Sequence, residues 1–264
     1  MDYKGLKVSI VILAIVALFL NLFWKPQNTD IDSISDKSNK VSIEEKEILK
    51  PLYPINPIND NLFDRPDLIT LPPLDDSDQY FRLEIIGFLG KQVDSLLVQT
   101  RIIERIVATI DNLPRGHVAE RIRPIGRLGG QFYIDNENND NYFLSNKNYA
   151  RYNIYIDVLE MAELTKVVDT YKRYYPLFQK AYMSLGYPNG YFNDRVVEVI
   201  DHLLETPEIQ GPISLIQPHV LYEFKDPHIE ALSSGQKMML RIGLKHSIRL
   251  KTKLRELREL IILN

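Results

Sequence analysis

The sequence has no cysteine among its 264 residues. A lipoprotein signal is thereby excluded, because it needs a cysteine to acylate, while the absence suits an oxidising compartment and a cytoplasmic one equally. Also missing are a P-loop, a G-x-S-x-G nucleophile elbow and an H-E-x-x-H metal motif. His117, His219, His228 and His246 show no metal-ligand spacing. The glycine cluster of Gly126, Gly129 and Gly130 lacks the strand-then-helix setting of a dinucleotide site and reads as turn chemistry. No catalytic residue, metal ligand or cofactor follows from these motifs.

One long apolar run is present. Residues 8–24, VSIVILAIVALFLNLFW, are interrupted only by Ser9 and Asn21, follow Lys4 and Lys7, and end at Lys25 and Pro26. A membrane-spanning helix needs about 17–25 such residues, and Trp24 suits the interface. No small-x-small cleavage site follows the run, so it reads as an uncleaved, single-pass signal anchor rather than a removed leader. Lysines before and after the span nearly balance, and a long downstream domain translocates largely regardless of charge. The expected topology is a short tail, residues 1–7, inside a bacterial inner membrane, with the remainder periplasmic.

The formal net charge of −3 conceals an asymmetry. From Lys237 onward there are eight basic and two acidic residues, a net of +6, which leaves −9 for the rest. Residues 25–73 are first polar and then rich in proline, and read as a linker without a core of its own. Extended, some fifty residues reach on the order of 150 Å at about 3.1 Å each.

From residue 74 onward the pattern predicts one mainly helical domain with a small β-hairpin. Asp75 to Asp78 open a helix through Phe88, and a second spans about residues 95–110. Phe132 to Ile134 and Tyr142 to Leu144 flank a polar loop, as in a hairpin. A helix from Asp157 to about Tyr174 meets Pro176, which kinks it or starts a new segment. Asn193 is placed as the N-cap of a helix with an apolar stripe of Val196, Val199, Ile200, Leu203 and Leu204. Residues 213–224 look extended, with Pro218 favouring an edge strand or loop, and Ser233 or Ser234 opens a long amphipathic helix to the C-terminus.

Three runs are distinctive: IIERIVATIDNLPRGHVAERIRP (102–124), YPLFQKAYMSLGYPNGYFNDRVVEVIDHLLETPE (175–208) and LSSGQKMMLRIG (232–243). With LPPLDDSD at 71–78 and a single N-terminal span, they resemble the bacterial envelope family catalogued as domain of unknown function 3014. The resemblance covers about residue 71 to the end. It implies a membrane-anchored protein of uncharacterised role and brings no catalytic residues.

Two surfaces offer chemistry. On the helix after Asn193, Asp194, Arg195, Glu198, Asp201 and His202, with Glu205, form a polar cluster. Glu198 and His202, four apart, share a face, and carboxylates beside a histidine suit metal ligation or acid–base work. All of these residues also lie opposite the apolar stripe, where a solvated face requires charge. On the last helix Lys237, Arg241, Lys245 and Arg249 recur every four residues, a basic face for an acidic partner, anionic lipid or the protein's own acidic body. Tyrosines interleaved with cations at 149–155 and 171–175 fall at helical spacing and read as core. The expectation is a non-enzymatic binding or scaffolding module, with the lipid bilayer and an envelope-protein or cell-wall component as partners and no nucleic acid. The alternative is an envelope hydrolase or metal-dependent enzyme using the polar face of residues 193–205.

Overall fold

The computed structural model describes residues 50–56, 71–89, 91–125, 131–136, 141–161 and 163–263. The expected anchor at 8–24, most of the linker and the glycine cluster at 126–130 lie outside the described residues. No helix within them is long and apolar enough to cross a membrane.

The helices are α1 (Asp78–Leu89), α2 (Ile102–Asn112), α3 (Lys147–Ala150), α4 (Asn153–Met161), α5 (Leu164–Ser184), α6 (Phe192–Leu204), α7 (Pro227–Glu230), α8 (Ser234–Arg241) and α9 (Leu244–Ile262). Helices α2, α5, α6 and α9 pack on one another around the main core. That core holds Ile102, Ile103, Ile106 and Val107 of α2, Val196, Val199, Ile200 and Leu203 of α6, and Leu250, Leu254, Leu257 and Ile261 of α9. The apolar stripe expected on α6 is thus buried, apart from Leu204, which is partly buried against the core. Also buried are Tyr152, Tyr155, Tyr171, Tyr174, Phe178 and Tyr182, whose rings fill core space. Burial pushes the Tyr152 phenol up to about 12, with Arg151 and Arg241 pulling the other way.

The expected hairpin is half of the β structure. Strands β1 (Ile134–Asn136) and β2 (Tyr142–Leu144) pair antiparallel, Ile134 opposite Leu144, and β3 (Ser214–Ile216) and β4 (Glu223–Phe224) extend the sheet in the order β1-β2-β3-β4. Pro218 falls in the loop between β3 and β4, which frees β3 to pair on both sides. A second, smaller core of Leu144, Ile213, Leu215, Phe224 and Leu240 lies beneath this sheet.

Four boundaries differ from the pattern. Helix α2 begins at Ile102, not near 95: the Asp78 carboxylate accepts the Arg101 and Ile102 N–H groups at 2.6 and 2.7 Å, so α1 caps α2 across the fold. Helix α5 runs through Pro176, which is exposed, and begins at Leu164 rather than Asp157. Asn193 is not an N-cap but a fully buried first-turn residue; Gln179 of α5 takes the capping role, its Oε1 accepting the Phe192 N–H at 2.8 Å. The C-terminal helix is two helices. Ser233 and Gln236 close a capping box on α8, and the chain turns at Gly243 (φ 90°, ψ 151°) into α9.

The linker also reaches further into the fold than its composition predicts. Asp194 accepts the Leu52 and Tyr53 N–H groups at 3.0 and 2.8 Å, Asn193 Nδ2 donates to the Tyr53 carbonyl at 2.8 Å, and Tyr53 and Ile55 pack on the main core.

Candidate functional site

The polar face of α6 is distributed among structural ties. Asp194 holds residues 52–53. Arg195 donates to Asp111 Oδ1 at 3.0 Å and to the Asp111 carbonyl at 2.7 Å, and pairs with Glu198 at 2.8 Å. Burial works against the Arg195 charge, but Glu198 and Asp111 outweigh it and hold its pKa above the usual value. Asp201 takes a two-pronged contact from Arg258 of α9, one arm at 2.9 Å. His202 Nε2 meets the Ser233 hydroxyl, the N-cap of α8, at 2.8 Å, and Gln236 donates to the His202 carbonyl at 3.2 Å. Glu198, Asp201 and His202 therefore each face a different partner. Among the described residues no three His, Asp or Glu side chains gather as a metal ion requires.

The strongest buried polar node was not legible in the sequence. Asp111, 3% exposed, receives Arg195, Arg115 at 2.8 Å and the Tyr187 hydroxyl at 3.3 Å. It joins α2, α6 and the loop after α5. Beside it, the N–H groups of Ser234 and Gly235 donate to the carbonyls of Arg115 and Leu113. A Cβ at Gly235 would lie 2.7 Å from Leu203 Cδ2 and 3.1 Å from the Leu113 oxygen, so any larger residue would push the Leu203 side chain and the Leu113 carbonyl aside.

The basic series is turned largely inward. Lys237 pairs with Glu230 at 2.7 Å, and Arg241 lies over the Phe224 ring, 5.2 Å from its centroid. Burial lowers the Arg241 pKa, with Glu230 and Tyr152 opposing. Arg249 binds Glu160 through both guanidinium arms and lies near Asp157. Lys251, almost fully buried, donates to the Thr206 carbonyl at 2.7 Å and to Glu208. Acids elsewhere in the chain thus pair with at least four of the eight basic residues from Lys237 onward. Lys245 is exposed and makes no ion pair among the described residues.

Lys245 borders a cavity of about 670 Å³ between the sheet and the α8–α9 corner. Its floor is apolar, from Leu144, Ile213, Met239 and Leu240, and its polar wall includes Asn146, Asn153, His246 and Ser247. Gly243 shapes the corner: a Cβ there would lie 2.7 Å from Tyr149 Cγ, and its backbone angles suit glycine alone. His246 is buried, its Nδ1 3.0 Å from the Ile242 carbonyl, and burial lowers its pKa below 6.5 although that hydrogen bond opposes the shift. Ser247 is 3% exposed and its hydroxyl has no hydrogen-bond partner. A signal for this corner exists in the sequence. Gly243 falls inside the series Lys237, Arg241, Lys245 and Arg249, but the unbroken four-residue spacing of those cations reads as one continuous helix.

A family model described as protein of unknown function (DUF3014) matches residues 102–258. No curated protein and no solved structure matches the chain.

Proposed function

The chain belongs to the DUF3014 family, and on that premise we propose that it is a non-enzymatic binding module of the bacterial envelope. In this reading residues 8–24 anchor it in the inner membrane, the linker spaces it from the bilayer, and the helical domain faces the periplasm. The observation that carries the binding role is the cavity at the α8–α9 corner, whose size falls within the range of small-molecule sites, about 300–1,000 Å³. It pairs an apolar floor with a few convergent polar groups, the usual build of such a site. Residues 52–53, within the expected linker, dock on Asp194 of the domain.

The hydrolase alternative needs Glu198, Asp201 and His202 to converge on one reacting centre, and their separate partners work against it. Two experiments test the proposal. A thermal-shift screen of small molecules on the detergent-solubilised full-length chain should return ligands whose effect is lost when Ala150, on the cavity wall, is replaced by Trp; hits indifferent to that change contradict the cavity as the binding site. Alkaline phosphatase fused to the C-terminus should be active in cells, and an inactive fusion contradicts the periplasmic placement.

A further inference from the structure

We propose that the cavity takes a small organic anion, a carboxylate or phosphate head on an apolar body, with its anionic oxygens held by the first turn of α9, Lys245 and the Ser247 hydroxyl. The inference rests on the reading of the cavity as a binding site and adds the chemistry of what fills it.

Three observations converge. First, residues 243–247, the N-terminal turn of the 19-residue helix α9, all line the cavity. First-turn N–H groups have no acceptor within their own helix, and Gly243 at the N-cap has no side chain to supply one. Such a turn presents donors and a positive dipole end to an anion. Second, Ser247 lines the same cavity, is almost wholly buried, and leaves its hydroxyl without a partner. A helical serine in that setting ordinarily bonds back to the carbonyl four residues earlier. Here the Gly243 carbonyl accepts the Ser247 N–H at 2.9 Å, and the hydroxyl makes no bond. Each Cα–Cβ bond of a helix tilts toward its N-terminus, so the Ser247 side chain leans toward the uncapped turn. A buried hydroxyl left unbonded costs stability, so its retention beside a cavity calls for a ligand atom to accept from it. Third, Lys245 supplies a positive charge at that turn.

The one acid among the described lining residues, Asp135, lies on β1, on the sheet wall, where it helps burial raise the Tyr149 pKa. The two charges occupy different walls. The anionic head therefore belongs on the α9 side, and a hydroxyl or amine on the ligand would find an acceptor in Asp135. His246, neutral near pH 7 because burial lowers its pKa, adds no charge to the site.

The test is calorimetric titration of the full-length chain in a neutral detergent with phenyl phosphate, phenylacetate, inorganic phosphate and the uncharged 2-phenylethanol. Phenyl phosphate or phenylacetate should bind, the stronger of the two identifying the head group, and 2-phenylethanol should bind at least about tenfold more weakly, as expected when hydrogen bonds to a charged group are lost. Ser247→Ala and Lys245→Gln should each weaken the anion by about three- to tenfold and leave 2-phenylethanol unchanged. Ser247→Ala should also hold or raise the melting temperature of the ligand-free protein, which a purely structural serine would not do. Equal binding of charged and uncharged probes, or anion binding indifferent to both substitutions, overturns the anion assignment while leaving the cavity as a binding site. Inorganic phosphate binding as tightly as phenyl phosphate overturns the apolar body. Absence of binding by every probe overturns the inference as a whole, whereas the broader screen above decides the binding reading itself.

Discussion

Asp111 is the residue on which the most polar structure depends. Its carboxylate answers Arg195 and Arg115 from a position 3% exposed. Removing one partner of a fully buried ion pair costs about 3–5 kcal/mol, an upper range here because Arg195 keeps Glu198 and Arg115 is half-exposed. Asp111→Ala should lower unfolding stability by up to that order in urea denaturation; a loss under about 1 kcal/mol, the size of a surface pair, would mean that the node is solvated. Gly243 depends on backbone instead. At φ 90° and ψ 151° a side chain is strained by about 1–3 kcal/mol, and a Cβ would press into the Tyr149 ring. Gly243→Ala should therefore cost at least that much in the same denaturation measurement, and should also narrow the cavity. An alanine variant as stable as the wild type would contradict the geometry assigned to the α8–α9 corner.

At the scale of elements, the recurrent device is a backbone N–H satisfied by a side chain of another element. Asp78 of α1 caps α2, Gln179 of α5 caps α6, and Asp194 of α6 receives the backbone of residues 52–53. This explains what the sequence made legible. The apolar stripe of α6, the buried tyrosines of α5, the strand Tyr142–Leu144 and the helix start at Ser233 are local signals, written at fixed spacing, and each appears in the fold. The first hairpin strand, by contrast, lies at Ile134–Asn136, two residues beyond the expected Phe132–Ile134. Asn193 misled because a local N-cap preference was overridden by a long-range one: its amide bridges the Tyr171 hydroxyl and the Tyr53 carbonyl from inside the helix. The ties of Arg195 to Asp111, Asp201 to Arg258, Arg249 to Glu160 and Lys251 to Glu208 were not legible, since the partners stand far apart in the chain, unlike the local Arg195–Glu198 pair. Asp194→Ala removes both acceptors for the linker backbone. Hydrogen exchange at Leu52 and Tyr53 should then rise by at least about tenfold, one factor of ten per 1.4 kcal/mol lost from bonds to a charged acceptor. Unchanged exchange there would mean that the Tyr53 and Ile55 packing alone holds the segment.

For the whole molecule, internal neutralisation decides how stability responds to pH. His246 has its folded pKa below the unfolded 6.5, so the unfolded chain binds the extra proton first and stability falls as pH drops below about 6.5. Asp157 opposes that shift, while Arg249 and Lys245 reinforce it. Glu230 follows the same sign lower down: burial raises its pKa, but Lys237 and the Phe224 N–H leave it net below 4.5, so its stabilisation is present above that pH and is lost as pH falls through the folded value. The melting temperature should decline from pH 7 toward pH 5 and again below about 4.5, and His246→Gln should flatten the upper decline alone; an undiminished slope in that variant would assign the effect elsewhere. In the proposed reading the domain binds through the α8–α9 corner and not through the polar face of α6. Hydrogen–deuterium exchange of the full-length chain with and without saturating phenyl phosphate tests it most directly. Protection should concentrate in peptides covering residues 240–250 and those facing them across the cavity, near 143–153 and 209–213; protection confined to residues 193–205 would contradict it.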